Sequence, residues 1–141
     1  MYKSELDKHI QSQTVSNSFV FFGESVFLID MYTKMMTNVD DANVITLYHD
    51  EYDFNSAKSH LSQASLFGDR NILIIKSEKK VPKKELDILL GFCDKNPDNI
   101  FVYAYLGSDH KTYANKKTFA SSNAMSVRFF HPKDFEAQNI V

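Results

Sequence analysis

The sequence predicts an α/β protein: a roughly five-stranded, mostly parallel sheet flanked by helices. Two observations carry this expectation. Five short apolar runs recur along the 141 residues, at 18–22, 43–48, 71–76, 99–106 and 125–130. They are rich in β-branched and aromatic residues and mostly continuous rather than alternating, as suits strands buried on both faces. Between them, apolar residues repeat at helical spacing. Strands alternating with helices build right-handed βαβ units, hence a parallel sheet with helices on both sides.

The elements follow in order. Leu6 and Ile10 mark a short leading helix over 3–11, and "SFVFF" is the first strand. Over 24–36, Leu28, Tyr32 and Met35 share a helical face with Ile29 and Met36 beside it, and "NVITLY" is the second strand. Asp53 can cap a helix whose apolar positions are Phe54, Ala57, Leu61 and Ala64. "NILIIK" is the third strand. Pro82 suits a first helical turn, Leu86, Leu89, Leu90 and Cys93 follow at i, i+3, i+4 and i+7, and Asn96-Pro97 stops that helix. "NIFVYAYL" is the fourth strand. A weaker helical pattern covers 111–122, and "MSVRFF" is the fifth strand. The tail "HPKDFEAQNIV" begins no clear new strand.

The totals bound the class of function. Hydrophobic residues are 43% and charged residues 24%, ordinary for a globular domain, and the length suffices for one real core. A net charge of −2 gives no global pull toward nucleic acid or anionic membrane. Cys93 is the single cysteine, which excludes an intrachain disulfide and fits a reducing compartment. "MYKSELDKHI" carries charges where a signal peptide needs an apolar run, and no stretch approaches the roughly 18 apolar residues of a transmembrane helix. The expected location is the cytoplasm.

No catalytic, cofactor or metal site is expected. Gly23 follows the first strand, where a phosphate-binding loop would stand. Such a loop needs several glycines, a Lys and a Ser or Thr. This turn has one glycine followed by Glu24, and no lysine before Lys34. A carboxylate there occupies the positive helix end that would attract phosphate, and Glu24 reads as a favourable first-turn charge. Ser25 lacks the G-x-S-x-G setting of a nucleophile elbow. His9, His49, His60, His110 and His131 are scattered, without metal-ligand spacing. "YHDEYD" (48–53) lies past the second strand, where ligands bind in open α/β sheets. It admits an acid/base role but reads better as a solvated acidic loop with a helix cap. "KSEKKVPKK" (76–84) holds five lysines in nine residues. It allows phosphate contact, yet Glu78 and Glu85 partly neutralise it and no interleaved aromatic offers base stacking.

"SQASLFGDR" (62–70) sets Leu66 beside Phe67 in a connection, where large apolar residues are hard to bury. One explanation is a helix-end apolar contact, with Gly68 as the left-handed C-terminal residue. The other is an anchor for a partner. "QASLF" resembles the bacterial sliding-clamp-binding motif, whose usual form is Gln-Leu-Ser/Asp-Leu-Phe; Ala64 departs from the usual Leu. With "FVFFGESVFLID", "SLFGDRNILIIK" and "DNIFVYAYLGSDHKTYANKK" in this order, essentially the whole chain resembles the N-terminal domain of the delta subunit of bacterial DNA polymerase III, the clamp-opening subunit of the clamp loader.

The resemblance implies a RecA/AAA+-like clamp-binding domain over 1–130 that lacks a P-loop and does not hydrolyse ATP. Residues 131–141 would be a linker toward a missing second domain. Leu66 and Phe67 would insert into a pocket of the β sliding clamp, flanked by Gln63 and Ser65. The subunit would help open the clamp for loading onto primed DNA in replication. Other clamp-loader subunits (gamma/tau and delta prime) would be met through missing domains, and the chain would belong to the DNA polymerase III holoenzyme without an activity of its own. Two rivals remain open: a nucleic-acid-binding module using the lysines of 76–84, and a nucleotide-dependent enzyme with a degenerate phosphate site.

Overall fold

A computed structural model describes residues 1–63, 70–109 and 123–131. Its elements are α1 (Lys3–Ser12), β1 (Ser18–Gly23), α2 (Val26–Thr37), β2 (Ala42–Tyr48), α3 (Phe54–Ser62), β3 (Arg70–Ser77), α4 (Lys83–Lys95), β4 (Ile100–Tyr105) and β5 (Met125–Phe129). The helical pattern at 111–122 and all but His131 of the tail lie outside the described residues. So do Ala64, Ser65, Leu66, Phe67 and Gly68.

The five strands form one sheet in the order β2-β3-β4-β1-β5, and every pairing is parallel. The sheet explains the continuous apolar runs. Val20, Phe22, Leu73, Ile75, Phe101 and Tyr103 turn to one face and pack with Ala57 and Leu61 of α3 and Leu86, Leu89, Leu90 and Cys93 of α4. The intervening Phe19, Phe21, Ile72, Ile74, Val102, Val127 and Phe129 turn to the other, against Leu6 of α1 and Leu28, Ile29 and Tyr32 of α2. With both faces covered, β1, β3 and β4 have no polar side to show. Phe129 closes the second layer, edge-on to Phe21 at 5.3 Å between ring centroids and 5.0 Å from Tyr32.

The helix ends follow local chemistry. Asp53 caps α3, its Oδ2 accepting from the Ser56 N–H at 3.0 Å, as its position predicts. Pro82 sits at the N-cap of α4 rather than inside its first turn, and its carbonyl accepts from Glu85 and Leu86. Helix α2 starts at Val26, two residues later than predicted, because the Ser25 hydroxyl accepts the Leu28 N–H at 3.1 Å and ends the helix there. Glu24 therefore precedes the cap and is no first-turn charge.

The two sheet edges differ. Along β5, Tyr2 forms a parallel bridge with Arg128, whose N–H donates to the Met1 carbonyl at 3.0 Å. Along β2, no described strand pairs on the outer side. No helix among the described residues is long and apolar enough to cross a membrane.

Candidate functional site

Parallel strands give the sheet two unlike ends. The carboxyl end, the usual ligand side of open α/β sheets, carries the turns after β1, β2, β3 and β4. The amino end carries the connection from α3 into β3, which includes the "QASLF" stretch.

At the carboxyl end, Gly23 has φ 125°, and a Cβ there would lie 2.1 Å from the Phe129 carbonyl oxygen. The turn is pressed onto β5, and the Glu24 N–H donates to that same oxygen at 2.8 Å. The N–H groups of Glu24 and Leu28 are thus committed within the chain, and the Ser25 side chain is buried as the cap.

His49 lies between Ser77 and Asp50: its Nδ1 is 3.3 Å from Ser77 Oγ and its Nε2 is 3.5 Å from Asp50 Oδ1. The trio has the residue types of a nucleophilic triad but not its proton logic. The Ser77 hydroxyl donates to the Lys79 carbonyl at 2.8 Å and accepts the Lys79 N–H at 3.0 Å, so its proton is spent on the turn. The Nδ1 contact then has His49 as donor, and the Asp50 side chain, 95% exposed, is not held to orient the ring. His49 and Ser77 thus tie the end of β2 to the turn after β3. Glu51 folds back in the same loop, its N–H donating to the Tyr48 carbonyl at 2.8 Å. The acidic loop reading of 48–53 fits this geometry.

The lysines of 76–84 are largely spoken for. Lys76 pairs with Asp30 at 3.3 Å, Lys80 with Asp109 at 2.7 Å and Lys83 with Asp87 at 3.2 Å. Lys79 and Lys84 form no ion pair with a described residue. Among the described residues, no three His, Cys, Asp or Glu side chains converge to hold a metal. Burial pushes the Cys93 thiol up to about 12, with the nearby Asp94 charge adding to it, so Cys93 is an inert core residue at neutral pH.

The amino end is held by asparagines. Gln63, the described member of the motif, is exposed at the C-cap of α3, where the chain leaves the helix in extended conformation. Asn71, 3% exposed, donates from Nδ2 to the Gln63 carbonyl at 2.9 Å, and Gln63 Nε2 approaches Asn71 Oδ1 at 3.4 Å. Asn99 donates to the Leu61 carbonyl at 2.9 Å and the Phe92 carbonyl at 3.3 Å. Asn17 spreads its amide hydrogens over the carbonyls of Cys93, Asn96 and Asn99 at 2.8–3.2 Å. His60 lies 2.9 Å from two carbonyls, of Asn43 and Ile72, so Nε2 carries the proton. The asparagines take up the Leu61, Gln63 and Cys93 carbonyls at the ends of α3 and α4, and His60 binds carbonyls of β2 and β3 beside them. The sequence carried a signal for this network: Asn17 and Asn99 stand just before β1 and β4, and Asn71 is the second residue of β3.

A groove of about 850 Å³ opens along the same end, lined by Phe19, Met35, Met36, Ile100 and Met125, with Arg70 on its wall. Its methionines suit an adaptable apolar contact. The structure thus places Gln63 beside Asn71 at the amino end, whereas Ser65, Leu66 and Phe67 lie outside the described residues.

The fold and this geometry define an α/β domain with an all-parallel sheet and a cross-linked amino end. No protein-family model matches the chain. Two proteins of Helicobacter pylori, one from each of two strains, are similar to it, at 25% and 24% identity over 157 aligned positions. Each alignment takes in 97% of this chain and 46% of the relative, so the chain spans about half the length of the curated relatives it matches.

Proposed function

We propose that this chain is the clamp-engaging domain of a delta-type clamp-loader subunit, a non-hydrolytic wrench on the sliding clamp. The observation that carries the reading is the stretch "QASLF" and its setting. Gln63 is exposed at the end of α3, and its carbonyl is tied to buried Asn71 of β3. A short anchor on a rigid base binds with less ordering cost than one on a loose chain. The sheet order, with β1 between β4 and β5, resembles that of RecA- and AAA+-type cores, a fold-level analogy that adds support. Leu66 and Phe67 would be the anchors in the clamp's pocket, and Gln63 and Ser65 their polar flank. A wrench opens a ring only by binding the open form better than the closed one.

The test is binding of the chain to purified bacterial β clamp by calorimetry, beside Leu66→Ala/Phe67→Ala. Loss of two buried anchors should weaken binding by about 100-fold or more, with an unchanged thermal midpoint. A native chain that ignores the clamp at high concentration, both alone and within its full-length protein, would sink the proposal. A double mutant that melts far below the native chain would instead show the pair to be core.

Primed DNA would be met within the assembled loader; the rival reading, a nucleic-acid-binding module built on the lysines of 76–84, is disfavoured by three ion pairs among the five lysines. The nucleotide-enzyme reading is disfavoured by the commitment of the turn after β1 to β5.

A further inference from the structure

We propose that the outer edge of β2 is a strand-addition site for an extended segment of a partner protein, apolar in its middle and basic at both ends. Three observations carry this, and none depends on the clamp reading. First, β2 is an edge strand with no described strand on its outer side, so alternate N–H and C=O groups face outward; only at its end does Glu51 already meet the Tyr48 N–H and carbonyl. Seven residues long, "ANVITLY" contains no charge, proline or glycine, the devices that usually blunt such an edge. The opposite edge is protected, by Met1–Tyr2 lying along β5.

Second, one face of β2 is largely uncovered beyond Ala42. Leu47 is buried and Ile45 packs against the α3/α4 layer. Ala42 at the start of β2 still packs on the α1/α2 layer, but Val44 and Tyr48, which point to that same face, are 51% and 54% exposed, with the Lys76 ammonium 6.0 Å from the Tyr48 ring centroid. An added strand would extend that face and give both residues neighbours on their outer side, as β3 does on the inner.

Third, the charges select the occupant. Exposed Asp40 and Asp41 precede the strand, and exposed Asp50 and Glu51 follow it. Arg70 and Lys76 lie one strand inward on β3, Lys76 paired with Asp30, and the His49 ring stands 3.5 Å from Asp50. A second copy pairing antiparallel about Ile45 would set Asp40 of one chain opposite Asp50 of the other, a like-charge contact. A segment with lysines or arginines at both ends meets opposite charge at both ends and complementary backbone between, which is how strand-addition sites gain affinity and register.

The test uses a synthetic peptide of alternating valine and threonine, long enough to span β2 and bracketed by two lysines at each end, titrated into the full chain. A matched peptide bracketed by glutamates is the control. The lysine peptide should bind, slow amide exchange within residues 43–48, and bind at least about tenfold tighter than the glutamate peptide at low salt. Asp40→Asn/Asp50→Asn, at exposed positions, should lose about tenfold of that affinity with an unchanged melting midpoint. Failure of the lysine peptide to bind at millimolar concentration would overturn the proposal. So would equal binding of both peptides, protection elsewhere in the chain, or sedimentation showing that the chain self-associates and loses this on Val44→Lys.

Discussion

The side chain of Asn71 donates a 2.9 Å hydrogen bond to the carbonyl of Gln63, joining the last residue before the 64–69 connection to the strand that follows it. Asn71 is buried, so the bond is shielded from water, and its loss leaves the Gln63 carbonyl without this partner.

Asn71→Ala should therefore cost about 1–3 kcal/mol, seen as a lower urea midpoint with an unchanged m-value. If the clamp reading holds, it should also weaken clamp binding while Leu66 and Phe67 are intact. A variant as stable as the native chain would show that the bond does not hold the connection.

Gly23→Ala should destabilise more, by about 2–4 kcal/mol. The backbone there has φ 125°, and the added Cβ would meet the Phe129 carbonyl oxygen at 2.1 Å with only backbone to yield. Thermal melts measure this. A near-native midpoint would mean that β1 and β5 part easily.

Tyr32 makes an alkaline prediction. Its hydroxyl donates to Asp7, and burial, then that carboxylate, pushes the phenol from 10.0 up to about 12. A folded pKa above the unfolded one gives a contribution complete below pH 10 and lost as pH rises through 12. Stability should fall across that window with a slope near 1.4 kcal/mol per pH unit for this proton. In Tyr32→Phe that share of the slope should vanish, as read by urea titrations at stepped pH. An identical slope in the variant would refute the assignment.

The lysine segment makes a prediction about DNA. With three of its five lysines in ion pairs, only Lys79 and Lys84 stand without a described ion-pair partner. Any duplex binding by this chain should show a log–log salt slope of about 2 or less in magnitude, and Lys79→Ala/Lys84→Ala should flatten it. A slope near 5 would return the nucleic-acid reading to the front.

The local elements were legible in the residues. The runs "SFVFF", "NILIIK" and "NIFVYAYL" announce strands without a polar face, because covering by helices on both sides must be satisfied by each strand on its own. Asp53 as a cap and the stop at Asn96 are contacts within a few residues of chain. The error at Glu24 was also local: two neighbouring residues could have headed the same helix, and the Ser25 hydroxyl has the reach to the Leu28 N–H. The motif at 63–67 was legible only as a resemblance, and the structure bears on Gln63 alone.

By itself, the sequence determined that the chain builds a mostly parallel α/β sheet of about five strands with helices between them. Only the tertiary structure decided that β1 lies between β4 and β5, that Asn17 reaches carbonyls 76 to 82 residues away, and that His49 meets Ser77. Those outcomes depend on which strands become neighbours. Strand pairing uses backbone groups that every residue carries, so the order of the sheet is chosen by how both helix layers pack over it at once, a property no single stretch encodes.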